Sequence, residues 1–162
     1  MLCMIWRARR VSRRRSNSMP KARTPTIFTS PQDAALAFYQ AFEAKDIDAM
    51  MATWAEDEDI VCVHPGGPRL VGYDAVRAGW EQIFASEARL SFQVADIVVV
   101  ETVGMALQSA HEHVSVGNDP KPRGTAIATN VVLRTPSGWR MVMHHASPAA
   151  ATPSGSPSGP LH

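Results

Sequence analysis

The stretch Ala126-Ile127-Ala128-Thr129-Asn130-Val131-Val132-Leu133-Arg134-Thr135-Pro136-Ser137-Gly138-Trp139-Arg140-Met141-Val142-Met143-His144-His145-Ala146-Ser147 decides the fold. On either side of Pro136-Ser137-Gly138 the side chains alternate and β-branched residues are frequent. That pattern predicts two antiparallel strands, 124–134 and 139–147, joined by a tight turn. Upstream, the same period of two predicts strands over 91–100 and 105–116. Before residue 91 the period is helical. Ser30-Pro31-Gln32-Asp33 reads as a helix start, with Ser30 as N-cap, Pro31 at the first position and an acid placed to reach back to the cap. Ala35, Phe38, Tyr39 and Phe42 then share one face. Asp46 caps a second helix carrying Ile47, Met50, Met51 and Trp54, a strand is expected over 60–64, and a third helix over 74–84 carries Val76, Trp80, Ile83 and Phe84. Helices followed by an antiparallel meander predict an α+β fold, with the N-terminal helices packed on a curved, mostly antiparallel sheet. Such a sheet closes into a cone whose internal pocket suits a small molecule.

The chain has 162 residues, enough for one ordinary core. Its net charge of +1 hides two unlike parts. Residues 1–24 hold eight Lys/Arg and no acid, leaving eight of the 16 basic residues against all 15 acids, a body of net −7. An acidic body argues against nucleic acid as a partner. The apolar start is interrupted at Arg7, which is too early for a secretory signal, and no window is long and apolar enough to span a membrane. Residues 1–26 read as a disordered basic leader, 27–147 as the folded domain and 148–162 as a flexible Pro/Ser/Gly tail. Cys3 and Cys62 make no disulfide framework or zinc finger, which fits a reducing, cytoplasmic location.

The phrases Phe38-Tyr39-Gln40-Ala41-Phe42, Val63-His64-Pro65-Gly66-Gly67, Gly72-Tyr73-Asp74-Ala75-Val76, Ala128-Thr129-Asn130-Val131 and Gly138-Trp139 through His144-His145-Ala146-Ser147-Pro148 resemble the SnoaL-like branch of the nuclear transport factor 2-like superfamily. The resemblance implies the cone fold, a homodimer, and activities ranging from isomerases, cyclases and dehydratases to non-catalytic binding modules. Compared with the ketosteroid isomerase branch, His64 takes the place of the aspartate base, Asn130 that of the aspartic acid of the oxyanion hole, and Phe38 that of its tyrosine. Tyr39 is one residue away, but one helical step turns a side chain by about 100°, so it is not expected to substitute.

The same comparison predicts which side chains face the pocket. Ala128, Asn130 and Val132 point in, as do Met141, Met143 and His145, with His144 pointing away; on the preceding strand Leu107, Ser109, His111 and His113 point in. His64, Asn130, His111, His113 and His145 would then share a pocket walled by Phe38, Trp54, Trp80 and Met143. As candidate catalytic residues, a neutral His64 is a base and the Asn130 amide a donor to a forming enolate. Against this, His64 can simply hold its turn, Asn130 can fasten a strand, and the tryptophans can be core. His64, His111, His113 and His145 also have the residue types of a zinc, copper or iron site, although no carboxylate is clearly in the set; the expectation is neutral, hydrogen-bonded pocket histidines, with no metal and no cofactor. The expected partner is a small apolar carbonyl compound, and the expected chemistry is proton abstraction next to that carbonyl. The alternative is a non-catalytic ligand-binding or dimerisation module. Apolar Val131, Leu133 and Val142 on the outer sheet face ask for a cover, which a second copy supplies.

Overall fold

A computed structural model of the chain describes residues 26–117 and 124–150. The expected leader, save Thr26, and most of the expected tail lie outside the described residues. Three helices, α1 (Pro31–Ala44), α2 (Ile47–Thr53) and α3 (Tyr73–Phe84), pack on a mixed sheet of six strands. The strands are β1 (Val61–Val63), β2 (Arg69–Val71), β3 (Leu90–Glu101), β4 (Met105–Val116), β5 (Gly124–Thr135) and β6 (Gly138–Pro148), in the order β2-β1-β6-β5-β4-β3. Every pairing is antiparallel except β1 with β6. The fold is the α+β cone expected from the sequence. The short strand β2, which follows the Pro65–Pro68 turn, has no counterpart among the expected elements, because three residues are too few to display a period.

Local chemistry sets the helix ends. Ser30 accepts from the Asp33 backbone N–H while the Asp33 carboxylate accepts from the Ser30 N–H, a complete capping box. Lys45 closes α1 in the left-handed region (φ 52°), and Asp46 caps α2 through Ala49 N–H. The main core lies between α1, α2, α3 and the β1/β6 side of the sheet, around Phe38, Phe42, Trp54, Ile60, Trp80 and Met141. Phe38 meets Trp80 edge-on at 5.4 Å, and Trp80 meets Phe42 edge-on at 5.6 Å, the arrangement that ring quadrupoles favour.

Two irregularities govern which residues face the helices. In β6, Val131 pairs with Met143 but Val132 pairs with Met141, so Val142 is an extra residue opposite none. A single unpaired residue exchanges the two faces beyond it. In β3 the register slips between Ala95 and Val98, with Asp96 at φ 51°.

Candidate functional site

A line of polar side chains crosses the concave face of the sheet beneath α1. Register builds it: Gln108 of β4 lies opposite Asn130 of β5, Asn130 opposite His144 of β6, and His144 beside Cys62 of β1. Directly paired residues share a face, so all of these look toward the helices. His144 Nδ1–H donates to Asn130 Oδ1 at 2.7 Å, which makes Nδ1 the protonated nitrogen. Asn130 Nδ2 donates to Tyr39 Oη at 3.1 Å, and Tyr39 O–H donates to Glu112 Oε1 at 2.8 Å. Each donor points the same way along the chain, which ends on a carboxylate. At the other end the His144 ring lies 6.2 Å from that of His64, whose Nε2 is 3.6 Å from Cys62 Sγ.

Burial tunes every member. It holds His64 down to about 4 and His144 down to about 3, the latter helped by repulsion from His64 and His145, so both rings are neutral at pH 7. It pushes the Cys62 thiol up to about 12, which keeps it a thiol. Burial also raises Glu112, against the Tyr39 hydrogen bond that stabilises its charged form. Tyr39 is raised by burial and then by the Glu112 charge, so the proton between them stays on the phenol.

The structure brings some of the expected site residues together and parts the others. His64, Asn130, Phe38, Trp54 and Trp80 are on the helix side of the sheet, with Trp80 edge-on to His64 at 4.4 Å. Met143 and His145 are not. The extra residue Val142 carries both to the outer face and brings His144 in, where it is buried. Leu107, Ser109, His111 and His113 are also on the outer face, because Gln108, not Leu107 or Ser109, pairs with Asn130. There His111 Nδ1 meets Asp96 Oδ2 at 3.0 Å and His113 Nδ1 meets Thr125 Oγ1 at 2.9 Å. The expected histidine cluster is thus divided between two faces of the sheet. Among the described residues no group of three metal-ligating side chains converges.

Sequence reasoning missed Tyr39, Glu112 and His144 as members of the buried chain. The available signal was the spacing of small residues. Ala106, Ala110, Ala126, Ala128 and Ala146 are all buried on the concave face, and Ala106 and Ala110 mark the even-numbered side of β4 as the inward one.

The described residues also enclose cavities, one of which borders this line. One of about 420 Å³ lies between α1 and the β3–β5 side of the sheet and includes Tyr39 and Gln108. A second, of about 720 Å³, is bounded by Trp54, Tyr73, Arg77 and Arg140, and a third, of about 440 Å³, by the acidic turn Glu56-Asp57-Glu58 and the start of α3. Neither His64 nor Asn130 lines any of these three.

A SnoaL-like domain profile matches residues 32–151. Among solved structures, the chain is similar to a candidate calcium/calmodulin-dependent protein kinase type II association domain from Thiobacillus denitrificans, with 39% identity, a TM-score of 0.70, and coverage of 77% of this chain and 99% of that one. It is also similar to a candidate dehydratase of the nuclear transport factor 2-like family from Streptomyces avermitilis, with 35% identity, a TM-score of 0.66, and coverage of 73% and 92%. The F-box protein SKIP8 of Arabidopsis thaliana is 26% identical over 110 residues, 68% of this chain; the match spans 46% of that curated relative's length. The chain belongs to the SnoaL-like family of nuclear transport factor 2-like proteins. No described helix is long and apolar enough to cross a membrane.

Proposed function

We propose that this protein binds a small, mostly apolar carbonyl compound and removes a proton next to the carbonyl, the step shared by isomerases, aldol-type cyclases and dehydratases of this fold. One observation carries the reading. The chain Glu112–Tyr39–Asn130–His144 is hydrogen-bonded throughout, with Glu112, Asn130 and His144 buried and Tyr39 at a cavity wall, an arrangement that orients and tunes reacting groups. His64, neutral at pH 7, is the proposed base. Asn130 has one amide hydrogen beyond that given to Tyr39, and this is the proposed donor to the enolate oxygen. The name of the Streptomyces avermitilis relative, a candidate dehydratase, agrees with this class. The proposal includes a homodimer formed through the outer sheet face, where Val98, Val100, Ile127 and Leu133 are exposed, and a cytoplasmic location that suits the free Cys62.

The test is exchange of the hydrogen next to the carbonyl in D2O, followed by NMR over a panel of apolar ketones and any organic compound found with the purified protein by native mass spectrometry. His64→Ala is expected to slow exchange by at least about a hundredfold. Exchange that survives both His64→Ala and Asn130→Ala rules out this mechanism. A second reading, a binding or dimerisation module without chemistry, is favoured by the burial of Phe38, Trp54 and Trp80, each 1–2% exposed, with Trp80 edge-on against the proposed base. Ligand binding without exchange by the native chain decides for that module.

A further inference from the structure

The flank of α1 that carries Tyr39 stands over open space. The 420 Å³ cavity there is walled by Ala35, Leu36, Val94, Ile97, Val99 and Val132. Its polar lining is Gln32, Tyr39, Gln40, Glu43 and Gln108, with no lysine, arginine or histidine. Tyr39 donates its O–H to Glu112 and accepts a hydrogen bond from Asn130, so what it still offers is an acceptor lone pair. Behind it, Glu112 is 4% exposed, and its hydrogen-bond partner among the described residues is the neutral phenol. A carboxylate removed from water without a cation is unfavourable, and this one has apolar Ala110 and Val114 as its neighbours along the same face of β4.

Among the described residues, an apolar chamber with acceptors in its lining, Glu43 as the charged group of that lining and the Glu112 carboxylate behind Tyr39 selects one ligand chemistry. We propose that it is a binding site for a hydrophobic amine. The hydrocarbon body lies against the aliphatic walls. The ammonium donates to Tyr39 Oη and to the carbonyl oxygen of the Gln108 amide, within the field of Glu112. The faces of Tyr39 and Phe92, whose ring centroids are 6.3 Å apart, add attraction for the cation. An anion meets two carboxylates, and a neutral alcohol of equal size leaves the Glu112 charge uncompensated. The site shares Tyr39 and Glu112 with the hydrogen-bonded chain but not the proposed base His64, so amine binding and proton transfer can fail separately.

Isothermal titration of the full chain at pH 7 with n-octylamine, n-octanol and octanoate tests the proposal. Octylamine is expected to bind about tenfold or more tighter than octanol, with octanoate weakest. Glu112→Gln should bring octylamine down to the octanol level. Ile97→Trp, at a wall position 52% exposed and therefore tolerant of a larger ring, should block both. If Glu112→Gln melts below the assay temperature, Tyr39→Phe replaces it and is expected to cost the amine several-fold while sparing the alcohol. Equal affinity for amine and alcohol, or amine binding insensitive to the Glu112 and Tyr39 variants, overturns the assignment. So does absence of octylamine binding, including absence because a second copy fills the cavity, which sedimentation at the titration concentration would reveal.

Discussion

Phe38 and Tyr39 are neighbours on α1, yet the step between them divides the concave face into two unlike halves. On the Phe38 side, rings from α1, α2 and α3 fill the space, and Phe38, Trp54 and Trp80 are almost fully buried. On the Tyr39 side, a buried polar chain borders a 420 Å³ cavity rimmed by exposed Leu36, Ile97 and Val99. A turn of about 100° per residue suffices to place two aromatic rings of one helix in different solvents. The lesson is that resemblance at a position does not carry its chemistry. The place that the ketosteroid isomerase comparison assigns to a tyrosine is a packed phenyl ring here, and the hydroxyl lies one residue on, hydrogen-bonded to a carboxylate of β4.

The sharpest way to break this contrast is to truncate one side chain from each half. Trp80→Ala should destabilise the protein by about 3–5 kcal/mol in urea unfolding, because a large buried ring is lost and its space cannot fully collapse. Leu36→Ala, on a residue 58% exposed, should stay within about 0.5 kcal/mol. Comparable losses at both sites would mean that the cavity side is also closed in solution. The next test separates polar from apolar burial. Asn130→Ala removes two hydrogen bonds and strands the His144 N–H in a dry core, which should cost about 2–3 kcal/mol. Tyr39→Phe also removes two hydrogen bonds, but beside the cavity, where water can take the place of the phenol, and should cost about 1–2 kcal/mol. A cheaper Asn130 variant than Tyr39 variant would show that the chain is held from the carboxylate end.

Much of the fold was legible because its signals are local. The Ser30/Asp33 box, the Asp46 cap and the alternation of the last four strands each depend on a few adjacent residues, and the observed elements other than β2 agree with expectation to within a residue or two. The inward set of β5 was legible too, with Ala128, Asn130 and Val132 all buried. What was not legible is relational. The face of β4 depends on its register with β5, and that of His144 against His145 depends on one bulged residue, Val142; nothing in either strand's own pattern states it. A period of two makes such errors complete, so a one-residue shift sent His111, His113, Met143 and His145 to the wrong face together. The same shift concealed Glu112, which an alternating pattern alone placed in solvent.

The smallest expected effect distinguishes the two ends of the polar chain by the sign of their pH dependence. His64 and His144 titrate near 4 and 3 in the fold, below the ordinary histidine value of 6.5. Between pH 6.5 and about 4 the unfolded chain therefore takes up protons that the native state refuses, and stability falls as pH falls through that window. Above 6.5 these two groups leave stability unchanged. Glu112 acts in the opposite sense, because its raised value lets the native state keep a proton that the unfolded chain loses above 4.5, so its contribution falls as pH rises. Urea unfolding at steps between pH 4.5 and 7.5 should thus show a net decline toward acid. His144→Gln, which keeps a donor for Asn130 but does not titrate, should flatten that decline by no more than about 1.4 kcal/mol per pH unit, the limit for one proton. Glu112→Gln should steepen it, since the opposing term is removed. A His144→Gln slope equal to that of the native chain would mean that His144 titrates in the fold as it does in the unfolded chain, so that the ring would take up a proton below about 6.5 instead of staying neutral.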